Sequence, residues 1–194
     1  MTVVIPDGAS VEEIRTLRDY LLASGYPTAV AEGEDDPLAD RAAAVVVFRG
    51  GVCDAPSEKT VVCDKNALAL RADGASAEVE RVRERIGEIL ELRAGVRYDC
   101  FSGKLYSEKN GVSVFLGKKL DLTEKERLIV RLFETASGSP FTARELVRFT
   151  SRDPGSAGDG AMRSPISDLN AKARGKTGFP LILNRRGEGY SFTK

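Results

Sequence analysis

Histidine is absent from the sequence, and this absence removes several kinds of chemistry at once. Histidine is the side chain that ordinarily titrates near neutral pH. A chain without it has no histidine-based acid–base catalysis, no histidine-dependent catalytic triad and no histidine metal ligand. A phosphohistidine relay within this chain is excluded for the same reason.

Cysteine is scarce, with three residues at Cys53, Cys63 and Cys100 and no C-x-x-C spacing. An odd number of cysteines without paired spacing disfavours a disulfide framework or a zinc site. We interpret them as buried thiols. A redox switch through Cys53 or Cys63 is the alternative.

Long apolar runs are also missing. No stretch of the 194 residues approaches the length of a membrane span, and the N-terminal "MTVVIPDGAS" lacks the basic and apolar regions of a signal peptide. We therefore expect a cytoplasmic protein without a membrane partner. The length suits one large domain or two small ones.

The charge is zero overall but is divided unevenly along the chain. Residues 1–95 carry 11 Lys and Arg against 18 Asp and Glu, a net charge of −7. Residues 96–194 carry 18 against 11, a net charge of +7. An acidic half joined to a basic half indicates that the second half faces a polyanion.

The first half alternates strands and helices. Val3-Val4-Ile5, "PTAVAE", "AAVVVFRG" and "KTVVCD" are predicted strands, and their continuous apolar character is typical of a buried parallel sheet. "SVEEIRTLRDYLLASG" is a predicted helix with a capping box at Ser10 and Glu13, and "SAEVERVRERIGEILELR" is the last helix of this half. "ALALRAD" is a further candidate strand, but it follows "KTVVCD" too closely for a parallel crossover. The two segments either form an antiparallel hairpin around Lys65-Asn66 or one of them is not a strand.

The second half begins after Ala94-Gly95 with "VRYDCFSGKLYSEKNGVSVFLGKKLDLT", which predicts a small antiparallel meander. Three helices follow: "TEKERLIVRLFETAS", "TARELVRFT" and "SPISDLNAKARG". Capping boxes at Thr123/Glu126 and Thr142/Glu145 begin the first two, while Ser164 caps the third, Pro165 takes its first position and Gly175 ends it. The Gly- and Pro-rich "SRDPGSAGDGAMR" is a predicted loop, and "FPLILNRRGEGYSF" closes the chain as a hairpin.

Three helices followed by a hairpin with a basic tip is the order of a winged helix. A helix fits the major groove of DNA, and a narrow hairpin tip, the wing, reaches phosphates or the minor groove. Arginine suits the tip because its planar fork binds phosphate oxygens in pairs. Gly187 and Gly189 allow a tight turn and a close backbone approach.

The second half resembles the OmpR/PhoB-type response regulators. The segments "LDLTEKERLIVRLFE", "FTARELV", "ISDLNAKAR" and "RRGEGYSF" occur in the order of that family and nearly at its spacing. The resemblance covers residues 96–194, and the terminal R-G-x-G-Y-x-F pattern is its most specific part. It implies a winged helix-turn-helix with a small N-terminal antiparallel sheet, preceded in residues 1–95 by a shortened α/β receiver-like domain with a mainly parallel sheet.

The same resemblance implies a DNA-binding function. It assigns a minor-groove arginine to Arg186, the wing tyrosine to Tyr190 and a backbone contact to Asn184. A helical wheel turns Ser167, Asp168 and Ala171 outward. The complete set predicted to bind DNA is Arg163, Ser164, Ser167, Asp168, Ala171, Lys172, Arg174, Asn184, Arg185, Arg186 and Tyr190.

The outward face of the third helix is poor in arginine. Asp168 either accepts a hydrogen bond from a cytosine amino group or repels phosphates. A winged helix that docks protein and has lost DNA reading is therefore the alternative function. An enzyme is the third class, and the absence of a metal cluster and of a phosphate-binding glycine loop after a strand disfavours it.

The receiver-like half departs from the phosphorylation machinery that its resemblance implies. Receivers carry an acidic pair after the first strand and a phosphorylated Asp after the third, whereas here Asp7 stands alone and Phe48-Arg49 takes the acceptor place. We therefore expect regulation without aspartyl phosphorylation, with no phosphoacceptor, catalytic residue, metal or cofactor. The strand ends predict a signal surface made of Asp7, Phe48, Arg49, Gly50, Asp64 and Arg71.

The last helix of the first half carries an apolar stripe of Val79, Val82, Ile86 and Ile89. Such a stripe forms either a core face or a dimer seam, and two heptads are few for a coiled coil. We predict a dimer interface at these four residues. The expected partners are double-stranded DNA, a second copy of the chain through residues 1–95, and RNA polymerase.

Overall fold

The computed structural model describes residues 1–33, 35–48, 51, 57–64, 68, 77–100, 106–109, 112–136, 140–155 and 158–193. The chain divides into two compact units. The N-terminal unit is Met1–Arg93 with Thr135–Ser137, and the C-terminal unit is Ala94–Glu134 with Gly138–Lys194.

Four parallel strands form the sheet of the N-terminal unit, in the order β2-β1-β3-β4. Their bounds are Thr2–Ile5 for β1, Thr28–Val30 for β2, Ala44–Phe48 for β3 and Thr60–Cys63 for β4. Every residue of β3 is buried, as expected for a strand covered on both faces. The parallel sheet predicted from the apolar runs is confirmed.

The doubt over "KTVVCD" and "ALALRAD" is resolved for the first segment alone. β4 pairs with β3 in parallel, with Val46 opposite Val61. Most of "ALALRAD" lies outside the described residues. Leu68, the one described residue of that segment, is buried and is not in a strand.

Three helices accompany this sheet: α1 Val11–Ala23, α2 Pro37–Arg41 and α3 Ala77–Cys100. Ser10 and Glu13 form the predicted capping box of α1. The predicted end of α3 near Arg93 and the start of the meander at Val96 are both wrong, because the helix continues to Cys100. A single glycine such as Gly95 costs a helix only about 1 kcal/mol relative to alanine, and no proline follows to stop it.

The apolar stripe of α3 belongs to the core of this unit. Val79, Val82 and Ile86 are fully buried and Ile89 is 5% exposed. They share one hydrophobic cluster with Leu17 of α1 and with residues of β1, β3 and β4. The predicted dimer interface at Val79, Val82, Ile86 and Ile89 is wrong, because side chains buried within their own chain are not available to a partner. The alternative reading, a core stripe, is confirmed.

The C-terminal unit begins with the predicted antiparallel meander. Its strands are β5 Tyr106–Lys109, β6 Val112–Phe115 and β7 Lys118–Leu120. Helices α4 Glu124–Thr135, α5 Ala143–Thr150 and α6 Arg163–Thr177 follow. The chain then forms the antiparallel hairpin of β8 Ile182–Arg185 and β9 Gly189–Phe192.

Aromatic rings form part of the core of this unit. Phe141 packs edge-to-face against Phe133 at 5.3 Å and against Phe149 at 6.2 Å between ring centroids. Phe192 of the hairpin contacts Phe133 at 6.1 Å in the same manner. Edge-to-face pairs of this kind place the positive ring edge on the negative ring face, and here they join α4, α5 and the hairpin.

Both predicted ends of α6 are wrong. The helix begins at Arg163, directly after a 3₁₀ turn over Asp159–Met162, and Met162 rather than Ser164 takes the N-cap position. The helix passes through Gly175 and ends at Gly178, whose φ is 82° and whose N–H donates to the Arg174 carbonyl at 2.8 Å. A left-handed residue is what this type of helix end needs.

Candidate nucleic-acid interface

Helix α6 has one buried face and one exposed face. Ile166, Leu169 and Ala173 are buried. Of the α6 residues predicted to bind DNA, six are exposed: Arg163, Ser164, Ser167, Asp168, Ala171 and Arg174. The outward face therefore presents small polar or apolar side chains and one carboxylate, with arginines toward both ends of the helix.

Lys172 differs from the other predicted contacts because it is half-buried in an ion pair. Its Nζ lies 2.7 Å from Oε2 of Glu126, and only 5% of the Glu126 side chain is exposed. Burial alone raises the pKa of Glu126. The hydrogen bonds from Lys172 and from Thr123 outweigh this effect and lower the pKa below its ordinary value.

Glu126 also completes the capping box predicted at the start of α4. The Thr123 N–H donates to Oε2 of Glu126 at 2.6 Å, and the Glu126 N–H donates to Oγ1 of Thr123 at 3.3 Å. One buried carboxylate thus joins the first turn of α4 to the middle of α6. The contact is one of those that hold α6 within the unit, together with its buried face of Ile166, Leu169 and Ala173.

Asn170 fixes α6 to the hairpin and was missed in the sequence. Its Oδ1 accepts from the N–H groups of Leu181 and Ile182, each at 2.9 Å, and its Nδ2 donates to the Ile182 carbonyl at 2.7 Å. An asparagine side chain inside a helix can form hydrogen bonds with backbone N–H and carbonyl groups. Here the Asn170 side chain forms them with the backbone at the start of β8. The only signal in the sequence was an amide placed inside a helical pattern.

The hairpin tip consists of Arg186, Gly187 and Glu188 between paired residues Arg185 and Gly189. The Glu188 N–H donates to the Arg185 carbonyl at 3.0 Å, and Gly187 has a φ of 83°, the pattern of a type II turn. Arg185 lies 3.4 Å from the Glu188 carboxylate. Within the described part of the chain Arg186 has no such partner, and it is exposed together with Asn184.

Tyr190 does not present its side chain at the surface. It is 9% exposed, and its backbone forms a two-bond bridge with Phe141, at 2.8 and 2.7 Å. The prediction of Tyr190 as a DNA contact is wrong in this structure, because its side chain is buried within the unit.

Gly189 makes this bridge geometrically feasible. A Cβ at this position would lie 2.4 Å from the Phe141 carbonyl oxygen, well inside van der Waals contact. Glycine is thus required by the close approach of two backbones. Gly187 has no such close neighbour, since nothing lies within 4 Å of a Cβ placed there. Glycine is favoured at this position by the positive φ of the turn.

The predicted signal surface of the N-terminal unit is only partly assembled. Asp7 is exposed, and its carboxylate oxygen lies 3.5 Å from a Cβ placed on Gly51, so the ends of β1 and β3 meet there. Phe48 is 1% exposed and belongs to the core, so its prediction as a surface residue is wrong. Arg49, Gly50 and Arg71 lie outside the described residues.

Asp64 takes part in a different arrangement at the outer edge of β4. Its N–H donates to Oε1 of Glu78 at 2.7 Å. Glu78 is paired with Arg81 through contacts of 2.6 and 2.8 Å, and Arg81 in turn donates to the Val62 carbonyl. Side chains of α3 thereby bind the outward backbone groups of β4.

Cys63 is a buried thiol, as predicted. Burial, followed by the charge of Glu78, raises the pKa of Cys63 to about 12. The reactive thiolate is therefore disfavoured in the folded protein. Cys53 lies outside the described residues.

Among the described residues, no group of three or more His, Cys, Asp or Glu side chains is placed to hold a metal ion. None of the helices found there combines the length and apolar character that crossing a bilayer would require.

The architecture defines the class of protein. A shortened parallel sheet with flanking helices forms a receiver-like α/β unit, and the three-stranded sheet, three helices and hairpin form a winged helix-turn-helix unit. Together these give the chain a response-regulator-like fold.

Comparison with known proteins returns solved structures alone, since no protein-family model and no curated protein matches the chain. One structure, described as "A novel family of redox sensors in the streptococci evolved from two-component response regulators", is 13% identical with a TM-score of 0.41, and all of both chains is covered. A cysteine-to-aspartate variant of RitR is 14% identical with a TM-score of 0.38, and a cysteine-to-serine variant is 13% identical with 0.39. Both alignments cover 100% of this chain and 99% and 98% of those chains. At these values the likeness carries no argument about function.

Proposed function

We propose that the chain is a DNA-binding transcriptional regulator of the OmpR/PhoB type, which binds double-stranded DNA through α6 and the wing. The observation that carries this proposal is Arg186, an exposed arginine at the tip of a hairpin whose base is fixed by Asn170 and by the Phe141–Tyr190 bridge. A fixed base holds the cation in place, so less conformational freedom is lost on binding. The net charge of +7 on residues 96–194 supplies the attraction for phosphates.

Salt dependence of binding tests this function. We expect the full chain to bind labelled duplex DNA in fluorescence anisotropy titrations and to weaken steeply between about 50 and 200 mM salt, because phosphate contacts release counterions. Arg186→Ala should weaken binding and reduce the slope of log K against log salt by about one unit.

A matched control is Lys118→Ala. It removes the same charge from the same unit, but at an exposed residue of β7 outside the predicted DNA-binding set. The control should leave the slope within experimental error of the wild type. Equal losses for the two variants would mean that net charge alone, and not the wing, determines binding.

Docking to a protein is the second candidate function. The exposed middle of α6, with Ser164, Ser167, Asp168 and Ala171, offers no basic side chain, and this favours a protein partner over a phosphate backbone. The same titration separates the candidates, because a protein-docking module would show no salt-dependent DNA binding.

We further propose that the N-terminal unit acts without aspartyl phosphorylation. The support is chemical: β1 is followed by the single acid Asp7, and β3 ends on the buried Phe48. Receiver phosphorylation needs a carboxylate nucleophile and neighbouring acids that hold Mg²⁺. Homodimerisation and contact with RNA polymerase remain proposals, and a dimer would have to use a surface other than the α3 stripe.

A further inference from the structure

Asp168 carries a negative charge that its own helix does not neutralise. Side chains three and four positions away are neighbours on a helix surface. At those positions stand Ser164, Pro165 and Ala171, which are uncharged, and Lys172. Lys172 is bound to Glu126 at 2.7 Å. The Asp168 carboxylate makes no hydrogen bond or ion pair with any part of the chain that the structure describes, and the residue is exposed.

The Lys172–Glu126 pair is what leaves Asp168 unpaired. An aspartate followed four residues later by a lysine commonly forms an ion pair along a helix. Here the lysine is turned toward the first turn of α4 by a carboxylate that is 5% exposed. The middle of α6 therefore presents a carboxylate without a partner and two hydroxyls, those of Ser164 and Ser167.

A carboxylate that enters the major groove is selective by its chemistry. It repels the phosphates on both sides of the groove and the acceptor atoms N7 and O6 of guanine, N7 of adenine and O4 of thymine. Cytosine presents an amino group, N4, without an adjacent acceptor on the same base. Adenine also presents an amino group, N6, but its acceptor N7 lies beside it. A carboxylate on the outer face of α6 therefore favours cytosine over the other three bases.

We propose that Asp168 is a specificity-determining residue that accepts a hydrogen bond from N4 of a cytosine in the major groove. The inference rests on the proposed function, and it adds the base that α6 selects. Arg186 and the arginines near the ends of α6 supply an attraction that is independent of the base sequence. Asp168 weakens binding where the base that it faces is not cytosine. Glu126 acts as a positioning residue, since it keeps Lys172 from neutralising the carboxylate.

The test is selection from a pool of duplexes with a randomised central segment, using the full chain. We expect the wild type to enrich cytosine at one position, by about tenfold over the other bases for a single well-placed contact. Asp168→Asn should change the preference at that position to adenine, because an amide binds N6 and N7 of adenine together. Asp168→Ala should lose the preference at that position alone. Glu124→Ala, which removes the same charge at an exposed residue of α4 outside the predicted DNA-binding set, is the matched control and should retain cytosine there.

The outcomes separate this inference from the proposed function. If Asp168→Ala tightens binding to every sequence by the same factor and no base preference changes, the carboxylate only repels phosphates and the inference is wrong, while DNA binding stands. If the wild-type chain binds no duplex at low salt, the proposed function fails and the inference fails with it. All of these substitutions are at exposed residues, and circular dichroism would check that each variant is folded.

Discussion

Two glycines of the wing serve different purposes, and substitution by alanine should distinguish them. At Gly189 an added Cβ would meet Phe141 backbone atoms at 2.4 and 2.8 Å, and the backbone cannot yield without breaking the bridge to Tyr190. We expect Gly189→Ala to lower the free energy of unfolding by about 3 kcal/mol, from two hydrogen bonds at about 1 kcal/mol each and strain at a positive φ of about 1 kcal/mol.

The comparison variant is Gly187→Ala. This residue also has a positive φ, but the space around it is open, so only the backbone strain applies, about 1 kcal/mol. Urea denaturation of the two variants and the wild type measures both losses. Equal losses would show that the bridge contributes nothing beyond the turn.

At the scale of secondary-structure elements, the contact between α4 and α6 should make the free energy of unfolding fall when the pH is lowered into the acidic range. The pKa of Glu126 is lower in the folded protein than its ordinary value, through the hydrogen bonds that outweigh its burial. Ionised Glu126 therefore stabilises the fold at neutral pH. That stabilisation is lost as the pH falls from about 4.3, the ordinary glutamate pKa, through the lower folded value.

Replacement of Glu126 by glutamine measures this contribution. We expect Glu126→Gln to lower the free energy of unfolding by about 2 kcal/mol at pH 7, the order of a hydrogen-bonded buried charge. The difference from the wild type should shrink below about pH 4, where the native carboxylate protonates as well. Glu145→Gln, at the same place in the capping box of α5, should cost less, about 0.5 to 1 kcal/mol. A wild-type advantage that persists unchanged in acid would contradict this account.

Element boundaries show how far local sequence signals reach. The capping boxes at Ser10, Thr123 and Thr142 were predicted correctly because each helix start is decided within four residues. The start of α6 was not, since a 3₁₀ turn precedes it and replaces the side-chain cap. Its end depended on which of two glycines, Gly175 or Gly178, took the left-handed conformation, and both satisfy the same pattern.

At the scale of the whole molecule, we expect that small-molecule phosphoryl donors do not phosphorylate or activate the N-terminal unit. We expect incubation with acetyl phosphate or beryllofluoride and Mg²⁺ to leave the mass, oligomeric state and DNA affinity unchanged, because Asp7 lacks a second acid beside it in the sequence and β3 ends on a buried phenylalanine. Intact-mass spectrometry, light scattering and anisotropy would measure the three quantities. One added phosphoryl group on an aspartate, with tighter DNA binding, would overturn the proposal.

The architecture was largely predictable, and the contacts that assemble the site were not. Apolar runs and helical periodicity predicted the parallel sheet and the three helices with a hairpin. The same periodicity could not decide whether the α3 stripe faces a core or a partner, because both use one spacing. Asn170, and the approach of Gly189 to Phe141, depend on residues 11 to 48 positions away. Such pairs leave no local trace in a single sequence.

The ion pair of Glu78 and Arg81 beside β4 affects the tendency of this strand to aggregate. β4 reads Thr-Val-Val-Cys, an uncharged β-branched segment of the kind that templates aggregation when its edge is open. Glu78 accepts a hydrogen bond from the Asp64 N–H, and Arg81 donates one to the Val62 carbonyl. These are the two backbone groups to which one residue of an added parallel strand would hydrogen-bond. While the ion pair holds, no foreign strand can pair at these residues. Within the described residues the sheet thus ends in an apolar strand that does not present these two groups as a seed for fibril growth.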